Sequence, residues 1–363
     1  MPQKGGIRRF SVAVRSPPLQ SGYCTERSYR FFGRKCNRMK ESSFSEKRAG
    51  KTQDNRIVVL GGLGFLGSHI CRTLVHQGYF VRIFDKLYAQ RSLIEDFANE
   101  VEVIEGDISR ADDVLDALLG YHTAIDLVHT TVPGSSMKDP VYDVTSNLRA
   151  AVSWLPHLGE TGIKRFLYIS SGGTVYGLPR TNPITEEHPT NPISSYGITK
   201  LAIEKYVAMY CGLQGIKHRI LRPSNVYGEG QRLNIGQGVI GVLADLALNN
   251  KPLEIWGTGE NQRDYLHVDD LAGSVLALLS YEGSEHVFNV SSEEGHSVLD
   301  IVNALRDTLG LSFEIKHLPD RGFDVPSNIL SSARLRTETN WTPQVSWEVG
   351  ISRTVEWLKT LKA

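Results

Sequence analysis

Arg56-Ile-Val-Val-Leu60-Gly61-Gly62-Leu63-Gly64-Phe65-Leu66-Gly67 is the stretch that decides the fold. An apolar, β-branched run ends in glycines and opens into Ser68-His-Ile-Cys-Arg-Thr-Leu-Val75, which reads as strand, tight turn and helix. Glycines at 61, 64 and 67 permit the turn, let backbone N–H groups approach a pyrophosphate at the helix N-terminus, and allow close helix packing. A second strand, Phe80–Phe84, ends in Asp85, 24 residues after Gly61. A carboxylate there binds an adenosine ribose diol and repels a 2′-phosphate, favouring NAD over NADP; Lys86 next door tempers that preference. Val101–Ile108 reads as a third strand. It carries Asp107, either an acceptor for the adenine amino group or a residue near the N-cap of a helix over Ala111–Leu119.

Outward from this unit the alternation continues. Strand patterns at Thr123–Val128, Arg165–Ile169 and His218–Leu221 are separated by a helix pattern at Ser146–Leu158 and by the helical run Leu201–Tyr210. The succession predicts an α/β, doubly wound parallel sheet of Rossmann type, with ligands at the carboxyl ends of its strands. Just before the last helix stand Tyr196 and Lys200, four residues apart and so on one helical face. A neighbouring ammonium favours the phenolate and makes tyrosine usable as a general acid or base, although a free tyrosine has a pKa of about 10.

With these residues in hand, the chain resembles the extended short-chain dehydrogenase/reductase superfamily, in particular the NAD-dependent nucleotide-sugar epimerase/dehydratase family. The likeness spans about Arg56 to Trp357 and rests on Gly61–Gly67, Asp85, Asp107-Ile108, Ser170–Gly177, Tyr196 with Lys200, Arg222–Gly228 and Gln262–Asp270. It implies a Rossmann domain holding NAD (56–225 plus about 267–290) and a smaller C-terminal substrate-binding domain (226–266 plus 291–363). By the same resemblance Gly61, Gly64, Phe65, Leu66, Gly67, Asp85, Asp107, Ile108, Tyr196, Lys200 and Pro223 are cofactor ligands. Ser136, Asn225, Arg263, Arg321 and Asp324 are the implied contacts to a nucleoside-diphosphate sugar, with Arg263 on a hairpin over Ile255–Tyr265 and Arg321 as a second diphosphate clamp. A guanidinium fork suits two phosphate oxygens, and an amide such as Asn225 suits a sugar.

Departures from the family pattern are equally informative. The usual catalytic Ser or Thr lies four residues before the Tyr of the V-Y-G segment, and here that position is Gly172. Ser171, Thr174 or a water held by the backbone takes its place. Dehydratases carry an acid just before the Val, where this chain has Thr174, so plain redox at C4 is favoured; Glu186 and Glu187 read as solvated loop acids. The usual H-L-A-A strand end appears as Asp126-Leu127-Val128-His129, and His129 reads as a strand-end histidine of structural role. His267 and Asp269-Asp270 read as caps of the helix Leu271–Leu279, and Trp341, Trp347 and Trp357 as packing residues.

Balanced charge, 40 Lys and Arg against 40 Asp and Glu, points away from nucleic-acid or membrane electrostatics. No apolar stretch reaches membrane-spanning length. The four cysteines show no metal spacing or disulfide framework and read as inert thiols in a reducing compartment, which places the protein in the cytoplasm. Residues 1–55 differ in kind, with 13 Lys and Arg against four acids and no periodicity. They read as a disordered basic extension, be it a transit peptide, a basic arm or, the favoured reading, the product of an upstream start. The expected activity is epimerisation at C4 of a UDP-hexose or UDP-N-acetylhexosamine, by a homodimer on the family's pattern. A dehydratase or 4-keto reductase of the same superfamily, and a non-catalytic NAD-binding regulator, are the alternatives.

Overall fold

The computed structural model describes residues 55–233, 237–319 and 325–362. Residues 1–54, read above as part of a disordered extension, and Arg321 and Asp324, expected above to contact substrate, lie outside the described residues. Strands run in the order β1 (Arg56–Leu60), β2 (Phe80–Asp85), β3 (Val101–Glu105), β4 (Thr123–Asp126), β5 (Arg165–Ile169), β6 (Lys217–Pro223), β7 (Asn225–Tyr227), β8 (Leu253–Trp256), β9 (Gln262–His267), β10 (Val287–Val290), β11 (Gly295–His296), β12 (Ile315–Leu318) and β13 (Ser327–Asn328).

Seven of them form one sheet in the order β10-β6-β5-β4-β1-β2-β3, with every neighbouring pair parallel. Such strands are buried on both faces and so read as continuous apolar runs. Along β1, Ile57 and Val59 join a core shared with the helices Phe65–His76 and Val268–Leu279. Val58 and Leu60 join the opposite core, with Val114, Trp154, Ile203 and Val207. The chain thus leaves β1 in one direction and β4 in the other, which opens a crevice at the carboxyl ends of these two strands.

The smaller sheets use the remaining segments. β9 pairs with β7, β11 and β13, while β8 pairs with β12. The hairpin expected over Ile255–Tyr265 therefore does not form. Each of its strands is taken by a different partner, and the turn between them holds Gly257 and Gly259 at positive φ. A third apolar core, with Leu243, Ile255, Ile301 and Ile351, lies under these strands.

Boundaries moved where caps overrule apolar periodicity. The helix bearing the tyrosine and lysine is Ser195–Leu213, starting before the apolar run, because the Ser194 side chain caps it by accepting from Gly197 N at 3.2 Å. Tyr196 thereby falls in the first turn. The helical region ahead of β5 begins at Pro140 and passes through a π-helical stretch, Val144–Arg149, before Ala150–Trp154.

Candidate functional site

Every strand-end residue singled out from the sequence stands on one edge of the large sheet, because its strands are all parallel. At the β1 end Gly61 adopts φ +84°, and a Cβ on Gly67 would lie 2.2 Å from Gly61 O and 2.6 Å from Gly62 Cα. Only glycine allows the following helix to approach so closely. That helix starts at Phe65 with no side-chain cap, so the dipole and amides of its first turn face the crevice without a protein anion. An uncapped turn of this kind fits a dinucleotide pyrophosphate. Asp85 braces it from β2, accepting from Leu63 N at 2.9 Å and from Lys86 N at 2.8 Å. Asp107 is exposed and forms its own turn, its Oδ1 accepting from Ser109 N and Ser109 Oγ at 2.9 and 2.7 Å; these bonds hold its carboxyl below the usual range. Ile108, behind it, packs against the second core. Phe65 and Leu66 are half-buried in the first turn, and Pro223 is buried at the end of β6.

On the far side of the crevice, Lys200 is buried. Its Nζ donates to Ile169 O at 2.8 Å and lies 4.9 Å from the Tyr168 ring centroid. Burial pushes its pKa down to about 8, against the pull of Asp126, Glu204 and Asp143. Tyr196 departs from expectation. Burial and the Asp143 carboxylate push its phenol up, and Lys200 does not offset them within the protein's own charges. The cation's hydrogen bond goes to the carbonyl at the end of β5.

Asp143 escaped sequence reading. It is fully buried and receives hydroxyls from Ser195 at 2.7 Å, Thr199 at 2.8 Å and Thr131, with the Asn147 amide at 3.1 Å. Burial works against its charge, and the His129 ring, 3.5 Å away, together with the three hydroxyls prevails, holding its carboxyl well below the usual range. No local pattern marks it, since its partners lie up to 56 residues away. Behind the dyad, Glu204 takes a two-pronged contact from Arg222 at 3.0 and 2.6 Å and the Ser170 hydroxyl at 2.5 Å.

The hydroxyls near the dyad now separate. Ser170 is committed to Glu204. Ser136 is fully buried, donating to Pro133 O at 2.9 Å and accepting from Tyr196 N at 3.1 Å, so it anchors the dyad's helix. Thr174 Oγ1 reaches Ser171 O only at 3.5 Å, and the half-buried Ser171 hydroxyl has no hydrogen-bond partner among the described residues. At Gly172 a Cβ would meet Leu330 Cδ1 at 2.3 Å and Arg222 O at 2.8 Å, so this position is closed to a side chain; at Gly173 the nearest atom is Asn225 Oδ1, at 3.8 Å. Asn225 is exposed and donates to Asp264 O at 3.0 Å, which orients its amide. Arg263 is half-buried, its Nη1 donating to Val325 O at 2.6 Å.

Other residues serve the frame. Glu186 accepts from Asn289 N at 2.8 Å and is buried, unlike the solvated acid expected, because burial is compensated by that bond; its pKa rises. Exposed Glu187 pairs with Arg334. The His267 ring accepts from Asp269 N at 3.2 Å and caps Val268–Leu279. Among the described residues no cluster of metal ligands occurs, and no helix is long and apolar enough to cross a membrane.

An uncapped glycine turn with a ribose-side acid, facing a half-buried tyrosine and a buried lysine across a parallel-sheet crevice, defines a dinucleotide-dependent enzyme of the Rossmann class. Residues 57–291 match the model of the NAD dependent epimerase/dehydratase family, and the chain belongs to that family. A putative UDP-glucose 4-epimerase of Methanocaldococcus jannaschii is 32% identical over 306 residues, covering 84% of this chain and 98% of the relative. A dTDP-4-dehydro-6-deoxyglucose reductase of Escherichia coli is 30% identical over 313 residues, covering 83% and 97%. Among solved structures, UDP-glucose 4-epimerase of Thermotoga maritima with UDP-glucose superposes at a TM-score of 0.80 with 29% identity, over 85% of this chain and all (100%) of that one.

Proposed function

We propose that this protein is an NAD-dependent 4-epimerase of a UDP-hexose or UDP-N-acetylhexosamine. The observation that carries the reading is the Tyr196–Lys200 pair fixed across the crevice from an uncapped glycine turn, with Thr174 where a dehydratase needs an acid. When bound, NAD accepts a hydride from C4 and returns it. Gly61, Gly64, Gly67 and the first turn at Phe65 and Leu66 would hold its pyrophosphate, Asp85 its ribose, and Asp107 with Ile108 the adenine side; Pro223 would flank the nicotinamide end. Tyr196 takes and returns the proton of the C4 hydroxyl, and Lys200 supplies positive charge beneath it. Ser171, whose hydroxyl has no partner among the described residues, is the residue we assign to hydrogen-bond the reacting oxygen, with Thr174 the next candidate. Asn225 offers its amide to the sugar, while Arg263 with Arg321 would clamp the diphosphate and Asp324 the ribose or sugar.

A proton NMR time course with UDP-glucose, UDP-galactose and their N-acetylated forms tests this. The expected result is an epimerised product without net NADH. Stoichiometric NADH, or a 4-keto-6-deoxy sugar, sinks it.

The assembly we propose is a homodimer. Val141, Tyr142 and Val144 on one helix, and Ile198, Met209 and Leu213 on the dyad's helix, are exposed apolar side chains that a second copy would cover. Light scattering at the monomer mass would refute it. The free, buried thiols Cys71 and Cys211 fit a reducing compartment, the cytoplasm.

A further inference from the structure

His129 follows β4 at the mouth of the crevice, where the direction of chain connection reverses. Its side chain is only 6% exposed, and its ring stands edge-on to Tyr196 with 4.4 Å between centroids. Among the described residues neither ring nitrogen has a partner at hydrogen-bond geometry. The nearest acid is Asp143, its Oδ1 at 3.5 Å from His129 Nε2. That carboxylate already accepts from Thr131, Asn147, Ser195 and Thr199, which fills its four acceptor sites. Burial and nearby Lys200 push the imidazole's pKa down to about 4, so it is neutral at physiological pH. A neutral imidazole presents one donor and one acceptor. Leaving such atoms buried and unpaired is unfavourable, since each has given up its bond to water.

We propose that His129 is a ligand-binding residue of this site, whose neutral imidazole pairs with a hydroxyl of the molecule that Tyr196 faces. A hydroxyl, being donor and acceptor at once, matches the two vacant nitrogens in kind. The contact also restores, from the end of the neighbouring strand, a polar partner of the type that Gly172 is sterically barred from supplying. The proposal rests on the reading that Tyr196 borders the bound ligand. The hydroxyl belongs to the cofactor ribose or to the sugar ring, and the test separates the two.

Wild type, His129→Phe and His129→Gln are compared by calorimetric titration with NAD and by kinetics with whichever of UDP-glucose and UDP-N-acetylglucosamine turns over faster. Phenylalanine keeps a ring against Tyr196 and removes both nitrogens; glutamine keeps a donor and an acceptor without the ring. We expect His129→Phe to weaken one ligand about tenfold, the equivalent of one hydrogen bond of about 1.4 kcal/mol, and His129→Gln to recover part of that loss. A change in the Kd of NAD assigns the hydroxyl to the cofactor; a change in KM or kcat/KM at saturating NAD assigns it to the sugar. Wild-type values for His129→Phe in both arms overturn the proposal, and so does a loss that glutamine deepens. Tyr196→Phe run alongside keeps the two readings apart. Turnover surviving it defeats the reading of Tyr196 as base, while the binding arms still decide His129.

Discussion

The two walls of the crevice are built from different materials. At the β1 end the site is main chain: glycines, a helix terminus, and amides oriented by Asp85. At the β5 end it is side chain: Tyr196, Lys200, Asp143 and His129, delivered by three separate segments and balanced by charge. The first wall is a matter of steric fit, and the second a matter of proton affinity. Substitutions should therefore fail in different ways on the two sides.

The largest effects test that division directly. Tyr196→Phe should lower kcat by about 10²–10⁴-fold while NAD stays bound, the range for a removed general acid or base. Gly67→Ala should lose NAD itself, because its methyl has only backbone at 2.2 and 2.6 Å to push against. Kinetics beside a cofactor-content measurement on each purified variant reads the contrast. Should Gly67→Ala keep its NAD with only kcat reduced, the division between walls is wrong.

A smaller effect probes the Gly172 departure. On resemblance alone, Gly172→Ser reinstates a hydroxyl and raises activity. Packing predicts the reverse: with Leu330 and the Arg222 carbonyl in the way, the substitution should destabilise the fold by about 1–3 kcal/mol and leave kcat no higher. Gly173→Ala, whose methyl would make only an ordinary contact with Asn225 Oδ1 at 3.8 Å, should be tolerated. Thermal unfolding and turnover of the pair decide between sequence likeness and packing.

This contrast also explains what could be read before the structure. The glycine wall was legible because its chemistry is contiguous: Arg56–Gly67 contains strand, turn and helix start, and Asp85 closes the next strand. Tyr196 and Lys200 were legible as a spacing, yet not in their electrostatics. Asp143 lies 53 residues before Tyr196, and nothing in Tyr142-Asp143-Val144 announces that four donors will converge on it. Ser136 was legible from the family's order in the chain, but not the bond its hydroxyl accepts from Tyr196 N, which only the fold brings about. The Ile255–Tyr265 hairpin failed for a related reason. Two strands with a glycine turn between them look self-sufficient locally, and competition from β12 and β13 becomes visible only in three dimensions.

The smallest effect concerns charge on the second wall. Groups facing Lys200 are Asp126 from β4, Asp143 from the neighbouring helix and Glu204 one turn further along its own helix, with neutral His129 and Tyr168 between. Burial pushes Asp126 up to about 6, so near pH 8 it is ionised and supports the ammonium. Lys200, whose pKa is about 8, loses its proton as pH rises through that value, and the positive charge under Tyr196 goes with it. The kcat/KM profile should accordingly descend on the alkaline side near pH 8. Asp126→Asn removes the largest of the contributions holding the proton on Lys200, so the descent should move to lower pH, by less than the full width of the limb because Glu204 and Asp143 remain. Asp85→Asn, on the main-chain wall, should weaken NAD binding and leave the limb where it is. A limb that ignores Asp126→Asn, or one that follows Asp85→Asn, would mean that the two walls share one electrostatic environment after all.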